Sequence, residues 1–142
     1  MKIGELAQVA QCTVETVRYY EKEGLLPEPA RTAGNFRVYG QEHLELLRFI
    51  RNCRALDMSH EEIHKLLKLV NQPAEGCSAV NVVFDQHIAH VTERIRELMQ
   101  LKEQLSALRQ QCQTERAVDA CGILQGLAAM KNEPKQARHT HL

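Results

Sequence analysis

The stretch CSAVNVVFDQHIAHVTERIRELMQLKEQLSALRQQC, residues 77–112, decides the fold. It holds neither glycine nor proline, and its apolar positions Phe84, Ile88, Val91, Ile95, Leu98, Leu101, Leu105 and Leu108 step by threes and fours. That is mostly the alternation of a heptad seam, with a short step from Leu98 to Leu101 that breaks strict phase. Ser78 can cap the start, its hydroxyl accepting from an orphan amide two or three residues on. One helix of about 33 residues is expected, about 50 Å long at 1.5 Å per residue. Such a rod cannot bury its seam alone and calls for a second helix. Cys77 and Cys112 stand at its two ends, too far apart to meet within one chain. An antiparallel dimer brings Cys77 of one chain to Cys112 of the other, twice. A parallel pair would only join each cysteine with its twin. Cys121 follows Cys112 after a loop, residues 113–120, short enough to fold back on the helix end.

Composition sets the surroundings. The 142 residues suffice for one domain with an extension, and no apolar run approaches the roughly 18 residues of a membrane span. Met1-Lys2-Ile3-Gly4-Glu5 does not read as a signal peptide, so a cytoplasmic protein with no membrane partner is expected. In that compartment five cysteines point to thiols, metal ligands or core residues rather than to a disulfide scaffold. A formal net charge of +0 means that any DNA contact must come from local patches.

Working back from the long helix, Pro73-Ala74-Glu75-Gly76 forms a linker. Before it, Ser59-His60-Glu61-Glu62 is a capping box with Met58 and Ile63 as hydrophobic staple, opening a helix to about Val70. Gln41 to Leu56 is a helix whose Leu44, Leu47, Ile50 and Cys53 form a buried stripe, broken at Asp57-Met58. Arg31 to Tyr39, centred on Gly34-Asn35, reads as a β-hairpin. Pro27 and Pro29 exclude helix before it. At the start, Ile3 to Ala10 is a short helix, Gln11-Cys12 a turn, and Thr13 the cap of a second helix from Val14 to about Glu23, closed by Gly24. Two short helices joined so tightly fit a helix-turn-helix, with Val14 and Val17 inward and Glu15, Thr16, Arg18, Tyr19 and Lys22 outward. After Cys121, residues 122–130 can make one or two helical turns. Lys131 to Leu142 is polar, lacks periodicity and is expected to be mobile.

Ile3-Gly4-Glu5-Leu6-Ala7, Val17-Arg18-Tyr19-Tyr20-Glu21, Gly24-Leu25-Leu26-Pro27 and Asn35-Phe36-Arg37-Val38-Tyr39 resemble, in order and spacing, the MerR family of bacterial transcription regulators. The resemblance covers about residues 1–125. It implies a mainly α fold: a winged helix-turn-helix over residues 1–40 with the hairpin as its wing, two connector helices over 41–76 and an antiparallel coiled-coil dimerisation helix over 77–112. Residues 113–130 are then expected to be a metal-binding loop and short helix, and 131–142, which match nothing in the family, a flexible tail. It also implies a mechanism. A homodimer sits on double-stranded promoter DNA whose spacer is too long, and with inducer distorts it so that RNA polymerase can use both elements. Cys77, Cys112 and Cys121 match the three cysteines of the heavy-metal branch. Asn52 to Met58 and Cys121 to Gln125 look most like its lead- and cadmium-responsive members. Phe36 departs from the pattern, standing where a tyrosine is common.

Three thiolates are soft ligands in a trigonal set. Pb(II) accepts three sulfurs on one side, and Hg(II) accepts three. Cd(II) wants a fourth ligand, which water, Asp119 or Glu115 can supply. Zn(II) prefers a closed set of four, and the loop offers no histidine or further cysteine. Copper sensors of the family carry serine where Cys77 stands. The effector expected is Pb(II) or Cd(II), with Hg(II) or Zn(II) as alternatives and a thiol redox switch as another. Cys12 and Cys53 read as packing residues. His87 and His90, three apart on the long helix, form a candidate second metal site against the plainer reading of a solvated face. His139 and His141 stand on the tail. Arg18, Lys22, Arg31, Arg37, Arg48, Arg51 and Arg54 gather around the second helix, the hairpin and the helix after it. Arg18 and Tyr19 are expected in the major groove and Arg31, Asn35 and Arg37 at the phosphates beside it, with Thr16, Phe36 and Tyr39 also expected among the DNA-binding residues.

Other classes fit less well. A metal-buffering coiled coil has no use for the Arg18-Tyr19-Tyr20 helix or the Gly34-Asn35 turn. A drug-sensing regulator needs aromatics after the long helix, and none follows Phe84. No Ser-His-Asp order, phosphate-binding glycine loop or carboxylate pair suggests an enzyme.

Overall fold

The computed structural model describes residues 1–74 and 76–131, so His139 and His141 lie outside the described residues. The elements in order are α1 (Ile3–Val9), α2 (Val14–Lys22), β1 (Ala30–Arg31), β2 (Arg37–Val38), α3 (Gln41–Ala55), α4 (His60–Val70), α5 (Ser78–Arg109), a single 3-10 turn (Val118–Ala120) and α6 (Gly122–Ala129). The fold is mainly helical, with a long helix and a small hairpin. No helix among the described residues is long and apolar enough to cross a membrane. The chain divides into two compact units, residues 1–84 and the residues from Asp85 onward. The division falls inside α5 because Val83 is buried in the first unit's core and Val80 packs against it.

In the first unit, α1 and α2 pack as a helix-turn-helix around Leu6, Ala7 and Val17. Thr13 caps α2, its hydroxyl accepting from the Thr16 amide at 3.1 Å. Three helices of this unit end the same way. After α1, the Gln11 amide donates to Gln8 at 3.1 Å and the Cys12 amide to Ala7 at 2.9 Å. After α2, Gly24 donates to Glu21 at 3.1 Å and Leu25 to Tyr20 at 3.0 Å. After α3, Asp57 donates to Arg54 at 2.9 Å and Met58 to Cys53 at 3.1 Å. Each is a Schellman closure, with Gln11, Gly24 and Asp57 in the left-handed region at φ 58°, 76° and 61°. The stripe of α3 is buried as its spacing requires, from Leu44 at 5% exposure to Cys53 at 7%. The capping box of α4 closes at 3.2 Å and 2.8 Å, with Met58 and Ile63 buried beneath it.

The hairpin pairs Ala30 with Val38 and Arg31 with Arg37. Its turn runs from Thr32, whose carbonyl accepts from Asn35 at 2.8 Å and whose amide donates to Phe36 at 2.8 Å. Asn35, not Gly34, takes the left-handed position, at φ 68°. A type I turn followed by a bulge residue is the three-residue hairpin loop, and an asparagine tolerates that bulge position.

In the second unit, α5 carries its seam into solvent: Ile88, Ile95 and Leu105 are 58%, 53% and 60% exposed. At its end α6 returns against it. A Cβ at Gly122 would run into the Gln111 carbonyl, and one at Gly126 into the Gln111 amide and Leu108. Both glycines are therefore contact surfaces where α6 touches the turn after α5, and at Gly126 also the last turn of α5 itself.

Candidate metal centre and nucleic-acid interface

The return of α6 sets two of the three expected metal ligands side by side. Cys112 follows the last turn of α5, where the Arg109 guanidinium donates to its carbonyl at 2.7 Å. Its thiol donates to the Thr114 carbonyl at 3.6 Å. Cys121 is the N-cap of α6. Its sulfur makes no formed capping hydrogen bond, but the nearby backbone amides of Leu124 and Ile123, with the neighbouring Cys112 thiol and the Arg116 charge, hold its pKa below the ordinary thiol value. Orphan amides at a helix start favour an anion there, so this cysteine is made ready to be a thiolate. Two adjacent sulfurs, one of them predisposed to ionise, fit a soft divalent ion. The residue spacing alone did not reveal the amides of α6 as partners of the site.

Cys77 is exposed at the other end of α5, its carbonyl accepting from Asn81 at 2.9 Å. Cys53 is buried and Cys12 partly buried, and burial pushes both thiols up. They are packing residues, as expected. His87 is buried and His90 exposed, both on α5.

On α2, Arg18 is exposed and Tyr19 half-exposed. The Thr16 hydroxyl shares a hydrogen bond with Thr13 at 2.8 Å. The Tyr19 ring lies 5.4 Å from the His60 ring, with its hydroxyl 3.5 Å from His60 Nδ1. Burial and the Arg54 charge lower the His60 pKa, so this imidazole is neutral at neutral pH and can accept from the tyrosine. One turn on, the His64 ring meets the Glu23 carbonyl at 3.2 Å. Two α4 histidines thus lean on the C-terminal half of α2, a contact that composition gave no means of seeing.

On the hairpin, Arg31 reaches Asn35 at 3.4 Å and Phe36 stands out 70% exposed. Two expected DNA contacts are placed differently. Tyr39 is 1% exposed, and its hydroxyl is donated to Glu21. It therefore faces the core, and the expectation of a DNA contact there is corrected to a structural role. Arg37 is on the surface but donates to the Glu21 carboxylate at 2.9 Å. Two more of the gathered arginines are held by backbone: Arg51 donates to the Ala10 carbonyl and Arg54 to the Met58 carbonyl at 2.6 Å. Arg51 thereby satisfies an orphan acceptor at the end of α1.

Comparison with known proteins accords with this arrangement. The family described as MerR HTH family regulatory protein matches residues 1–69, and that described as MerR, DNA binding, matches residues 44–108. The HTH-type transcriptional regulator ZntR homolog of Haemophilus influenzae is 53% identical over 110 residues, 78% of this chain and 82% of that protein. Among solved structures, the transcription regulator PbrR691 from Ralstonia metallidurans CH34, in complex with lead(II), aligns with a TM-score of 0.81 at 52% identity, over 89% of this chain and 98% of that one. The dual function regulator MerR of Bacillus megaterium MB1, in complex with mercury(II), aligns with a TM-score of 0.69 at 27% identity, over 90% and 99%. These relatives are transcription regulators and not enzymes. The chain belongs to the MerR family of helix-turn-helix transcription regulators, in its metal-responsive group.

Proposed function

We propose that this regulator senses Pb(II), with Cd(II) as its nearest competitor, through Cys77 of one chain and Cys112 and Cys121 of the other in an antiparallel dimer. The observation that carries the reading is the pairing of Cys112 with Cys121 at one end of a helix that starts at an exposed Cys77 and keeps its apolar seam in solvent. The likeness to a regulator solved with lead(II) supports the choice of ion. The dimer sits on promoter DNA in both states, Arg18 and Tyr19 of α2 in the major groove with Thr16 beside them, Arg31 and Asn35 of the hairpin at the flanking phosphates, and the exposed Phe36 against the DNA next to them. Metal binding bends and untwists the DNA so that RNA polymerase engages both promoter elements, which activates resistance genes. Hg(II) competes for the three sulfurs, and Zn(II) binds more weakly for want of a fourth ligand. Because the thiols must ionise, binding releases protons and strengthens as pH rises.

The test is a titration followed by the sulfur-to-metal absorption band, in wild type and in Cys77→Ser. The variant is expected to lose most of its lead affinity while the apo protein binds DNA as before. Equal binding by both proteins would leave only the Cys112–Cys121 pair as the site. Tighter binding of Zn(II) than of Pb(II) and Cd(II) would overturn the choice of metal.

A further inference from the structure

Glu21 stands on α2, its side chain only 9% exposed. Two of the hairpin residues that the sequence places at the DNA end on its carboxylate: Arg37 through Nη1 at 2.9 Å, and Tyr39 through its hydroxyl. Tyr39 is itself fixed on every side. Its amide donates to the Met1 carbonyl at 2.7 Å, its carbonyl accepts from the Met1 ammonium at 2.7 Å, and its ring stands edge-on to His43 at 5.3 Å. One carboxylate therefore ties the hairpin to the helix beside it.

We propose that Glu21 is a positioning residue for DNA recognition, a latch that sets the hairpin against α2 and keeps the Arg37 charge from being spent on a phosphate. The proposal rests on the DNA-binding reading above and concerns what that reading left open, how helix and hairpin keep register. The electrostatics favour the latch. If Arg37 turned to a phosphate, Glu21 would remain as a nearly buried carboxylate without its cation, close to a polyanion. Only the carboxylate side of the pair is shielded, at 9% exposure against 43% for Arg37, and leaving that carboxylate without its cation is a cost that a surface phosphate contact has to offset. While latched, the pair carries no net charge, so Arg37 displaces no counterion from the DNA.

The probes are a duplex enriched from a random pool by the wild-type dimer and a mixed-sequence duplex of equal length. Affinity for each is measured against salt concentration for wild type, Glu21→Gln, Arg37→Gln, Tyr39→Phe and the Glu21→Gln/Arg37→Gln double variant. In Glu21→Gln, the preference for the enriched duplex is expected to fall about tenfold. The freed Arg37 should steepen the log–log salt slope by about 0.9. Arg37→Gln should lose a similar preference with its slope unchanged, and the double variant should lose no more than either single. Tyr39→Phe removes one hydroxyl and should shift preference the same way by less, which keeps the test available should Glu21→Gln fold poorly. Thermal unfolding accompanies each variant. A fold defect alone lowers binding without moving the salt slope, and that result would overturn the latch. An Arg37→Gln slope shallower by about 0.9, with losses adding in the double variant, would make Arg37 a direct phosphate contact and also overturn it. A pool that yields no enriched sequence would remove the DNA-binding reading itself. An enriched duplex bound alike by all the variants would remove the latch only.

Discussion

The cysteines differ by surroundings rather than by sequence context. The nearby amides of Leu124 and Ile123, the Cys112 thiol and the Arg116 charge hold the Cys121 thiol below the ordinary value, while burial alone raises Cys53 and burial raises Cys12 with Arg51 offsetting part of it. The thiolate is the nucleophile, so the metal-free protein with a chelator present should be alkylated at Cys121 well before Cys12 and Cys53 at neutral pH. Plotted against pH, the Cys121 rate should rise with a midpoint below that of a free thiol, and those of Cys12 and Cys53 above it. Mass spectrometry of peptides after timed iodoacetamide treatment reads this. Equal rates at Cys121 and Cys53 would contradict the placement of α6. At this scale the sequence spoke unevenly. It identified Thr13, Ser59 and Gly24 as helix signals because their types are specific to those positions. It placed a turn at Gln11 and a break at Asp57 but not the left-handed ending that both adopt without being glycine, because neighbouring contacts rather than residue type impose it.

Among the elements, α6 decides whether the two sulfurs meet. Its seat depends on Gly122 and Gly126 touching Gln111 and Leu108. Gly126→Val should lift the helix off and loosen the Cys112–Cys121 pair, weakening Pb(II) binding about tenfold or more. Binding to DNA by the apo protein should not change, since α2 and the hairpin belong to the other unit. Titration by the sulfur-to-metal band beside a DNA mobility shift separates the two effects. Unaltered lead affinity would show that α6 does not support the site. Helix existence was legible throughout, because periodicity and caps are local. Helix-to-helix seating was not: that Gly126 marks a contact and Arg51 an acceptor at Ala10 depends on residues distant in sequence. The same holds for Tyr39, which the hairpin pattern placed beside DNA and the fold placed inside, against His43 and Glu21.

For the molecule as a whole, the seam of α5 sets the state of assembly. Ile88, Val91, Ile95 and Leu98 stay 41–58% exposed in a single chain, a row of apolar side chains repeating at coiled-coil spacing. Sedimentation at micromolar concentration should give twice the 16.2 kDa chain mass, and Ile95→Glu should return it towards one. A wild-type chain that stays monomeric would remove the shared site, since Cys77 and Cys112 of one chain bound the same long helix. The family and the architecture were legible from matched motifs over the first unit, whereas the division of the chain inside α5 was not, because it depends on Val83 joining a core built from earlier helices. The exposed seam has a consequence for dose. In the proposed assembly each ion is held by two chains, so binding metal and joining subunits are one linked equilibrium. The threshold concentration of lead then depends on how much regulator the cell holds. A cell with scarce regulator needs more metal to respond, and each ion captured strengthens the pairing that captured it.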